Sequence, residues 1–163
     1  MKPAPMKTIR PSLAALGLLF LSLIACATED AAETPAQLRG FPESTLTITH
    51  AGGRDSFRVW IADTSARQQQ GLMFVRRMPA DRGMLFPQRA PRPMSMWMKN
   101  TYLPLDMVFI GEDGVILGIA ADTKPLTLDT IESPGPITAV LELNAGEAAR
   151  RGIRKGDKVA SPP

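Results

Sequence analysis

Short runs of alternating apolar and polar residues recur along the chain from about residue 45 onward. The runs TLTITH (45–50) and SFRVWIAD (56–63) alternate in this way, and the glycines between them predict a β-hairpin. The run ITAVLEL (137–143) is apolar on both faces until Glu142, which is typical of a strand in the middle of a sheet. Four other stretches have strand character: GMLF (83–86), MSMWM (94–98), LDMVFI (105–110) and VILGIA (115–120). The stretch IRKGDKVA then closes with a last strand.

Two stretches favour short helices. In TSARQQQG, Thr64 or Ser65 can cap a helix and Gly71 suits its end. The stretch NAGEAARRG (144–152) has the same character and ends at Gly152. Seven or eight short strands with regular turns and two small helices predict a mainly β fold, as a compact antiparallel sandwich or barrel-like domain.

A different pattern precedes the strands. Three basic residues and no acid begin the chain, and an apolar run follows from Leu13 to Ala25, directly before Cys26. This order is typical of a secretory signal peptide, and the run is shorter than the roughly 20 apolar residues that span a membrane. Its end, LIAC, resembles a bacterial lipobox, which predicts that residues 1–25 are removed and Cys26 is lipidated. An ordinary cleavable signal with an unrelated cysteine is the alternative.

The following segment, residues 26–43, is polar and contains two prolines, so we expect a flexible tether that begins at the lipidated cysteine. Residues 44–161 then form a single domain, which we expect to be monomeric. Ala27, rather than an aspartate, follows Cys26. We therefore expect an exported protein, anchored at the periplasmic face of the outer membrane if the host is Gram-negative.

The charge balance depends on the signal segment. The chain carries 19 basic and 16 acidic residues, but residues 1–25 hold three of the basic ones and none of the acidic ones, which leaves 16 of each. The high pI therefore belongs to the signal segment. No basic stripe with interleaved aromatic residues follows, so we expect no nucleic-acid partner.

The chain has one cysteine and one histidine, Cys26 and His50. If Cys26 is acylated, no thiol remains for a disulfide, a nucleophile or a metal site. A single histidine excludes most zinc sites within one subunit, and a Ser-His-Asp triad would have to use His50. The sequence contains no phosphate-binding loop, and we expect no cofactor.

Five motifs occur in order: GLMF (71–74), GMLF (83–86), WMKNT with PLD (97–106), LELNAG (141–146) and KGD (155–157). Together they resemble DUF192, a bacterial and archaeal domain family of unknown function. The resemblance covers about residues 57–160. It implies a compact, mostly β domain that is often secreted or lipid-anchored, and it implies no reaction and no catalytic residues.

The stretch PRPMSMWMKNTYLPLD (91–106) concentrates unusual residues. In a strand, Met94, Met96 and Met98 share one face, where they either fill a core or bind Cu(I), because thioethers are soft ligands. A third or further sulfur could come from Met73, Met84 or Met107.

The polar end of this stretch suggests a binding site, because polar groups at a strand end often form one on a rigid scaffold. Asp106 and Glu142 lie in apolar runs, and a buried carboxylate must be paired or neutral. Each is either a structural anchor, with Arg67 and Lys99 as the natural partners of Asp106, or part of a pocket. The candidate binding residues are Arg67, Trp97, Lys99, Asn100, Thr101, Asp106 and Glu142.

Two classes of function remain open. The first, which we favour, is a lipid-anchored binding or accessory module of the cell envelope for a small polar ligand, a glycan or a protein partner. The second is a metal-independent hydrolase that uses the carboxylates of Asp106 and Glu142. Copper handling by Met94, Met96 and Met98 is a minor third hypothesis. Whether the protein is an enzyme is left undecided by the sequence.

Overall fold

The computed structural model of the protein describes Met1 and residues 34–160. The predicted signal peptide and Cys26 lie outside the described residues, so export and lipidation stay predictions. Within the part of the chain that is described, no helix is long and apolar enough to cross a membrane.

Residues 34–160 contain nine strands and two α-helices, which confirms the mainly β class with two short helices. The strands are β1 (Glu43–His50), β2 (Gly53–Ile61), β3 (Arg82–Arg92), β4 (Ser95–Met96), β5 (Leu105–Ile110), β6 (Ile116–Thr123), β7 (Ile131–Glu132), β8 (Ile137–Asn144) and β9 (Lys158–Ala160). The helices are α1 (Ser65–Gln70) and α2 (Glu147–Arg151), and a 3-10 turn spans Ala36–Leu38.

The ends of α1 follow from its sequence. The Thr64 side chain accepts a hydrogen bond from the backbone N–H of Arg67 at 3.3 Å, which satisfies one of the unpaired groups of the first turn. Gly71 ends the helix at φ +48°, a conformation that residues with a Cβ rarely adopt. The chain then turns away from the helix into the loop that leads to β3.

Seven strands form one sheet in the order β6-β5-β8-β3-β2-β1-β9, and β4 pairs with β7 in a separate two-stranded sheet. Neighbouring strands are antiparallel except β2 and β3, which run parallel. The sheet is therefore mixed and not wholly antiparallel. The reason is that α1 and its flanking turns carry the chain back to Arg58, in the middle of β2, before β3 begins at Arg82.

The two edges of the large sheet approach each other. Val115, just before β6, forms an isolated antiparallel bridge with Lys158 in β9, and the Val159 N–H donates to the Gly114 carbonyl at 2.8 Å. A single bridge replaces a continuous ladder, so the sheet curls without closing into a barrel.

The central strand β8 carries buried side chains on both faces, as its apolar sequence predicts. Leu141 and Leu143 belong to one apolar cluster with Val108 of β5. Val140 belongs to a second cluster on the opposite face, together with Met107. The second face is covered by the segments that form the candidate site.

The chain packs on the domain earlier than the predicted boundary at residue 44. Leu38, which falls in the segment expected to be a tether, is fully buried in the second apolar cluster. The Pro42 carbonyl accepts from the Ile61 N–H at 2.8 Å, and the Arg67 guanidinium donates to the Gly40 carbonyl at 2.9 Å. Residues 38–43 are therefore part of the folded unit.

Asp106 is fully buried and anchors α2 to the sheet. Its two carboxylate oxygens accept backbone N–H groups of Asp122 and Ala148, each at 3.0 Å. Ala148 lies in the first turn of α2, where the N-cap residue Gly146 has no side chain to accept that N–H. Asp106 therefore takes over the capping role from β5.

We expect Asp106→Asn to lower the free energy of unfolding by about 1–3 kcal/mol, because the amide NH₂ would face one of the two N–H donors. The corresponding fall in Tm is roughly 4 °C or more, measurable by circular dichroism or calorimetry. Asp129→Asn, at an exposed position, is the matched control and should leave Tm unchanged. A Tm for Asp106→Asn within a degree of the wild type would contradict the anchoring role.

Candidate functional site

A cavity of about 290 Å³ opens between α1, the segment around β4 and one face of the large sheet. Its apolar wall consists of Leu72, Met73, Phe86, Met94, Met96 and Trp97. Its polar groups come from Ser65, Gln68, Gln69, Gln70, Ser95, Lys99, Thr101 and Glu142. This volume lies at the lower end of the range for small-molecule sites, and the mixture of an apolar wall with a few polar groups is typical of them.

Glu142 lies in β8 at the base of this cavity. Its cross-strand neighbours are Met84 on β3 and Met107 on β5, both fully buried. Gly83 lets β3 approach closely, because a Cβ there would come within 2.6 Å of the Glu142 carbonyl oxygen. With Met84 on one side and Met107 on the other, the side chain of Glu142 has apolar neighbours on both adjacent strands.

The Glu142 carboxyl has no hydrogen-bond or ion-pair partner among residues 34–160, although the residue is only 4% exposed. Burial raises its pKa to about 8, because the apolar surroundings disfavour the ionised form. Lys99 is the one basic group among the lining residues described. A nearly neutral acid at the base of an apolar cavity is available to a ligand.

Two turns hold the walls of the cavity. The Phe74 N–H donates to the Asn100 carbonyl at 2.9 Å, and the Asn100 amide lies 3.9 Å from the Met73 sulfur. Phe74 and Asn100 both have positive φ angles, 65° and 54°, which for phenylalanine is an unfavourable backbone conformation. Such strained residues are concentrated at functional sites, where the surrounding structure maintains them.

The mouth of the cavity is formed by Trp97 and Lys99. Trp97 is 53% exposed, and the Lys99 ammonium lies 5.4 Å from the centre of its ring. Thr101 is buried beneath them, and its hydroxyl donates to the Lys99 carbonyl at 3.2 Å. The polar end of the stretch 91–106 therefore does reach the cavity.

The structure brings together four of the seven binding residues predicted from sequence: Trp97, Lys99, Thr101 and Glu142. The other three do not line the cavity. Arg67 binds Asp63 at 2.5 Å and Gly40, so it holds the N-terminal segment. The Asn100 amide donates to the Met73 sulfur at 3.9 Å, and Asp106 accepts the Ala148 N–H in the first turn of α2.

Asp106 and Glu142 lie on opposite faces of the sheet. Asp106 is directly opposite Leu143, and Glu142 is directly opposite Met107, so the alternation along each strand separates the two acids. Neither of the expected bases neutralises Asp106, whose partners are backbone N–H groups. The two carboxyls therefore cannot flank one substrate bond, which removes the geometric basis of the hydrolase hypothesis.

The methionines of the stretch also separate. Only Ser95 and Met96 form a strand, so the alternation predicted for residues 94–98 stops after Met96. Met94 and Met96 line the cavity, whereas Met98 is fully buried in the core and its sulfur accepts from the Thr123 hydroxyl at 3.2 Å. The three sulfurs do not share one face, because the strand gives way to the turn at Asn100.

The sequence interpretation missed the wall contributed by α1. Gln68, Gln69 and Gln70 line the cavity, and Phe86 closes it from β3. Their only sequence signal is three consecutive amides directly before GLMF, which predict a polar helix as readily as a site.

The part of the chain that is described supports neither a metal site built from His, Cys, Asp or Glu nor a histidine general base. It contains no group of three or more His, Cys, Asp or Glu side chains that could hold a metal ion. His50 uses both ring nitrogens, one accepting the Gly52 N–H at 3.2 Å and the other donating to Asp55 at 2.8 Å. Neither nitrogen is left to act as a general base.

We expect the Glu142 carboxyl to make the domain less stable as the pH rises from about 4.5 to about 8. In the unfolded chain the carboxyl ionises near its ordinary pKa of 4.5, whereas the folded protein retains the proton up to about 8. The unfolded state therefore binds fewer protons in this window, and stability falls by an amount on the order of a few kcal/mol.

Glu142→Gln is neutral at every pH and should remove this fall. The Tm of the variant minus that of the wild type should grow by roughly 5 °C or more between pH 5 and pH 8. Glu112→Gln, at an exposed turn position, is the control and should give a constant difference. Parallel curves for Glu142→Gln and the wild type would show that the carboxyl is not desolvated.

Comparison with known proteins adds two solved structures. A protein from Sinorhizobium meliloti 1021, titled a "putative transcription regulator", is 41% identical with a TM-score of 0.72, covering 74% of this chain and 95% of its own. A protein of unknown function from Novosphingobium aromaticivorans DSM 12444 is also 41% identical with a TM-score of 0.74, covering 78% of this chain and 89% of its own. These two crystallised chains consist almost entirely of the domain that they share with this chain.

None of the curated proteins compared with the chain matches it. A family model matches residues 46–161, which include every strand from β2 to β9 and all residues of the cavity. The model is that of DUF192, described as Uncharacterized ACR, and the chain belongs to this family.

Proposed function

We propose that the protein is a lipid-anchored binding module of the cell envelope, whose cavity takes a small cationic ligand with an apolar body. The observation that carries the proposal is the Glu142 carboxyl, which is buried, faces the cavity and has no partner among the described residues. Buried polar groups normally have hydrogen-bond partners, and an exception calls for an explanation. A ligand that donates to this carboxyl provides one.

The chemistry of the walls favours a cation over a neutral donor. A positive group beside Glu142 would stabilise the ionised carboxylate, which the apolar surroundings otherwise penalise. The thioethers of the wall are polarisable, and the Trp97 ring already faces the Lys99 ammonium at 5.4 Å. The volume of about 290 Å³ favours a small molecule over an extended glycan.

A protonated alkylamine and the corresponding alcohol test the proposal on the domain, residues 32–163. At pH 8.5, n-hexylamine should bind with a Kd of about 1 mM or tighter, and n-hexanol should bind at least about tenfold more weakly. Isothermal titration calorimetry or chemical-shift titration measures both. The difference arises because only the amine brings a positive charge to Glu142.

Glu142→Gln should reduce amine binding to the level of the alcohol, while Glu112→Gln should leave it unchanged. Equal binding of amine and alcohol to the wild type would refute the proposal. So would amine binding that survives Glu142→Gln.

Anchoring to the envelope is the part of the proposal supported by the sequence alone, through the apolar run that ends in LIAC at Cys26. In a Gram-negative host, the full chain should incorporate labelled palmitate and fractionate with the envelope. Cys26→Ala should lose the label. An unlabelled wild-type protein would contradict lipidation and leave the binding site unaffected.

A further inference from the structure

The methionines of the domain fall into two groups. Residues 34–160 contain seven of them, and four are core residues that are at most 8% exposed: Met78, Met84, Met98 and Met107. The other three are Met73, Met94 and Met96, and all three line the cavity above Glu142. Every methionine of this region that is not enclosed by the core therefore faces the same space.

Two wall segments, separate in sequence, present these three thioethers. Met94 and Met96 flank Ser95 at the start of β4, so they are two residues apart on extended backbone and about 6.6 Å apart along it. Met73 follows the end of α1 on the other wall, and the Asn100 amide lies 3.9 Å from its sulfur. Because all three side chains line one cavity of about 290 Å³ and methionine has three rotatable side-chain bonds, the sulfurs can reorient within the same small space.

The ligand chemistry of this cavity is soft. Thioether sulfur binds Cu(I) well and Mg²⁺ or Ca²⁺ poorly, since those ions require several oxygen ligands. Glu142 is the only acidic residue of the lining, so the cavity cannot supply a set of carboxylates. The imidazole of His50 is not among the lining residues and is hydrogen-bonded elsewhere.

One further group, Glu142, suits an ion with a single positive charge. In its ionised form the Glu142 carboxyl supplies one negative charge among the lining residues, whereas the thioethers are neutral. The exposed ring of Trp97 already faces a cation of the chain itself, the Lys99 ammonium at 5.4 Å.

We infer that Met73, Met94 and Met96 form a binding site for a soft monovalent metal ion, Cu(I) or its analogue Ag(I), beside Glu142. The inference rests on the proposed function, because it assigns a second kind of cation, a soft metal ion, to the same cavity. It also revises the set of sulfur ligands expected from the sequence, because Met98 is a core residue and Met73 takes its place.

The competing explanation is that the methionines only provide an adaptable apolar wall, since methionine fills irregular space and is common at such surfaces. Leucine separates the two explanations, because it preserves apolar volume and removes the sulfur. The variants Met73→Leu, Met94→Leu and Met96→Leu are therefore tested singly and together, with Met98→Leu as the matched control from the core.

The experiment titrates the domain, residues 32–163, with Cu(I) under anaerobic reducing conditions against a chromophoric Cu(I) chelator, and in parallel with silver nitrate by calorimetry. We expect the wild type to bind one ion with a Kd of about 1 µM or tighter. Each single Leu variant should weaken binding at least about tenfold, the triple variant should show none, and Met98→Leu should bind like the wild type.

A second readout identifies the ligands directly. In a domain with ¹³C-labelled methionine methyl groups, Ag(I) should shift the resonances of Met73, Met94 and Met96 and leave those of the four core methionines in place. Shifts confined to other methionines would overturn the assignment.

The outcomes distinguish this inference from the function on which it rests. If the wild type fails to compete for Cu(I), or if the triple variant keeps the affinity, the metal site is refuted. Hexylamine binding in the same samples would then leave the proposed function standing. If the wild type binds neither Cu(I) nor hexylamine, both fail. Amine binding by the triple variant also establishes that it is folded, so that its loss of Cu(I) supports the inference.

Discussion

The register of β8 between β3 and β5 is the constraint on which the rest of the structure depends. Paired on both sides, β8 cannot slip by one residue without exchanging its two faces, each of which is buried. This register points Leu141 and Leu143 into one apolar cluster and Glu142 toward the other face, where the cavity opens. A glycine at position 83 is part of the same constraint, because a side chain there would collide with the Glu142 carbonyl.

The two acids in apolar strands show how differently a fold can treat a buried carboxyl. Asp106 receives two backbone N–H groups and is used to attach α2 and the end of β6 to β5. Glu142 receives none from the described residues, and its pKa is raised by burial. An unpartnered buried polar group lowers stability, and proteins retain such groups mainly where function requires them. The contrast supports our proposal that Glu142 is the ligand-binding acid, whereas Asp106 has a structural role.

The walls around Glu142 come from short segments and not from the large sheet. Thr64 and Gly71 limit α1 to two turns, so its glutamines and Met73 stop beside the cavity. On the other side β4 has only two residues, and the turn at Asn100 directs Met98 into the core while Trp97 stays at the mouth. A sheet thus supplies the base, and short segments with strained turns supply the walls, which is how many binding sites are built.

The sequence by itself determined the mainly β class, the β1–β2 hairpin, the central position of β8, both ends of α1 and the C-terminal end of α2. These features follow from local rules, namely alternation of side chains, turn chemistry and helix capping. The family resemblance, carried by five ordered motifs, is also confirmed over residues 46–161.

Only the tertiary structure decided which side chains meet. The sequence GMLF does not predict that β3 runs parallel to β2, because a short apolar run can form a strand in either direction. The roles of Asp106 and Glu142 depend on strand register, a long-range property, since both occur in equally apolar runs. The site combines residues from positions 65 to 142, and no local pattern relates Met73 to Met94 before the chain folds. Physically, local sequence sets backbone preference, whereas the partners of a buried group are set by contacts between segments far apart in the chain.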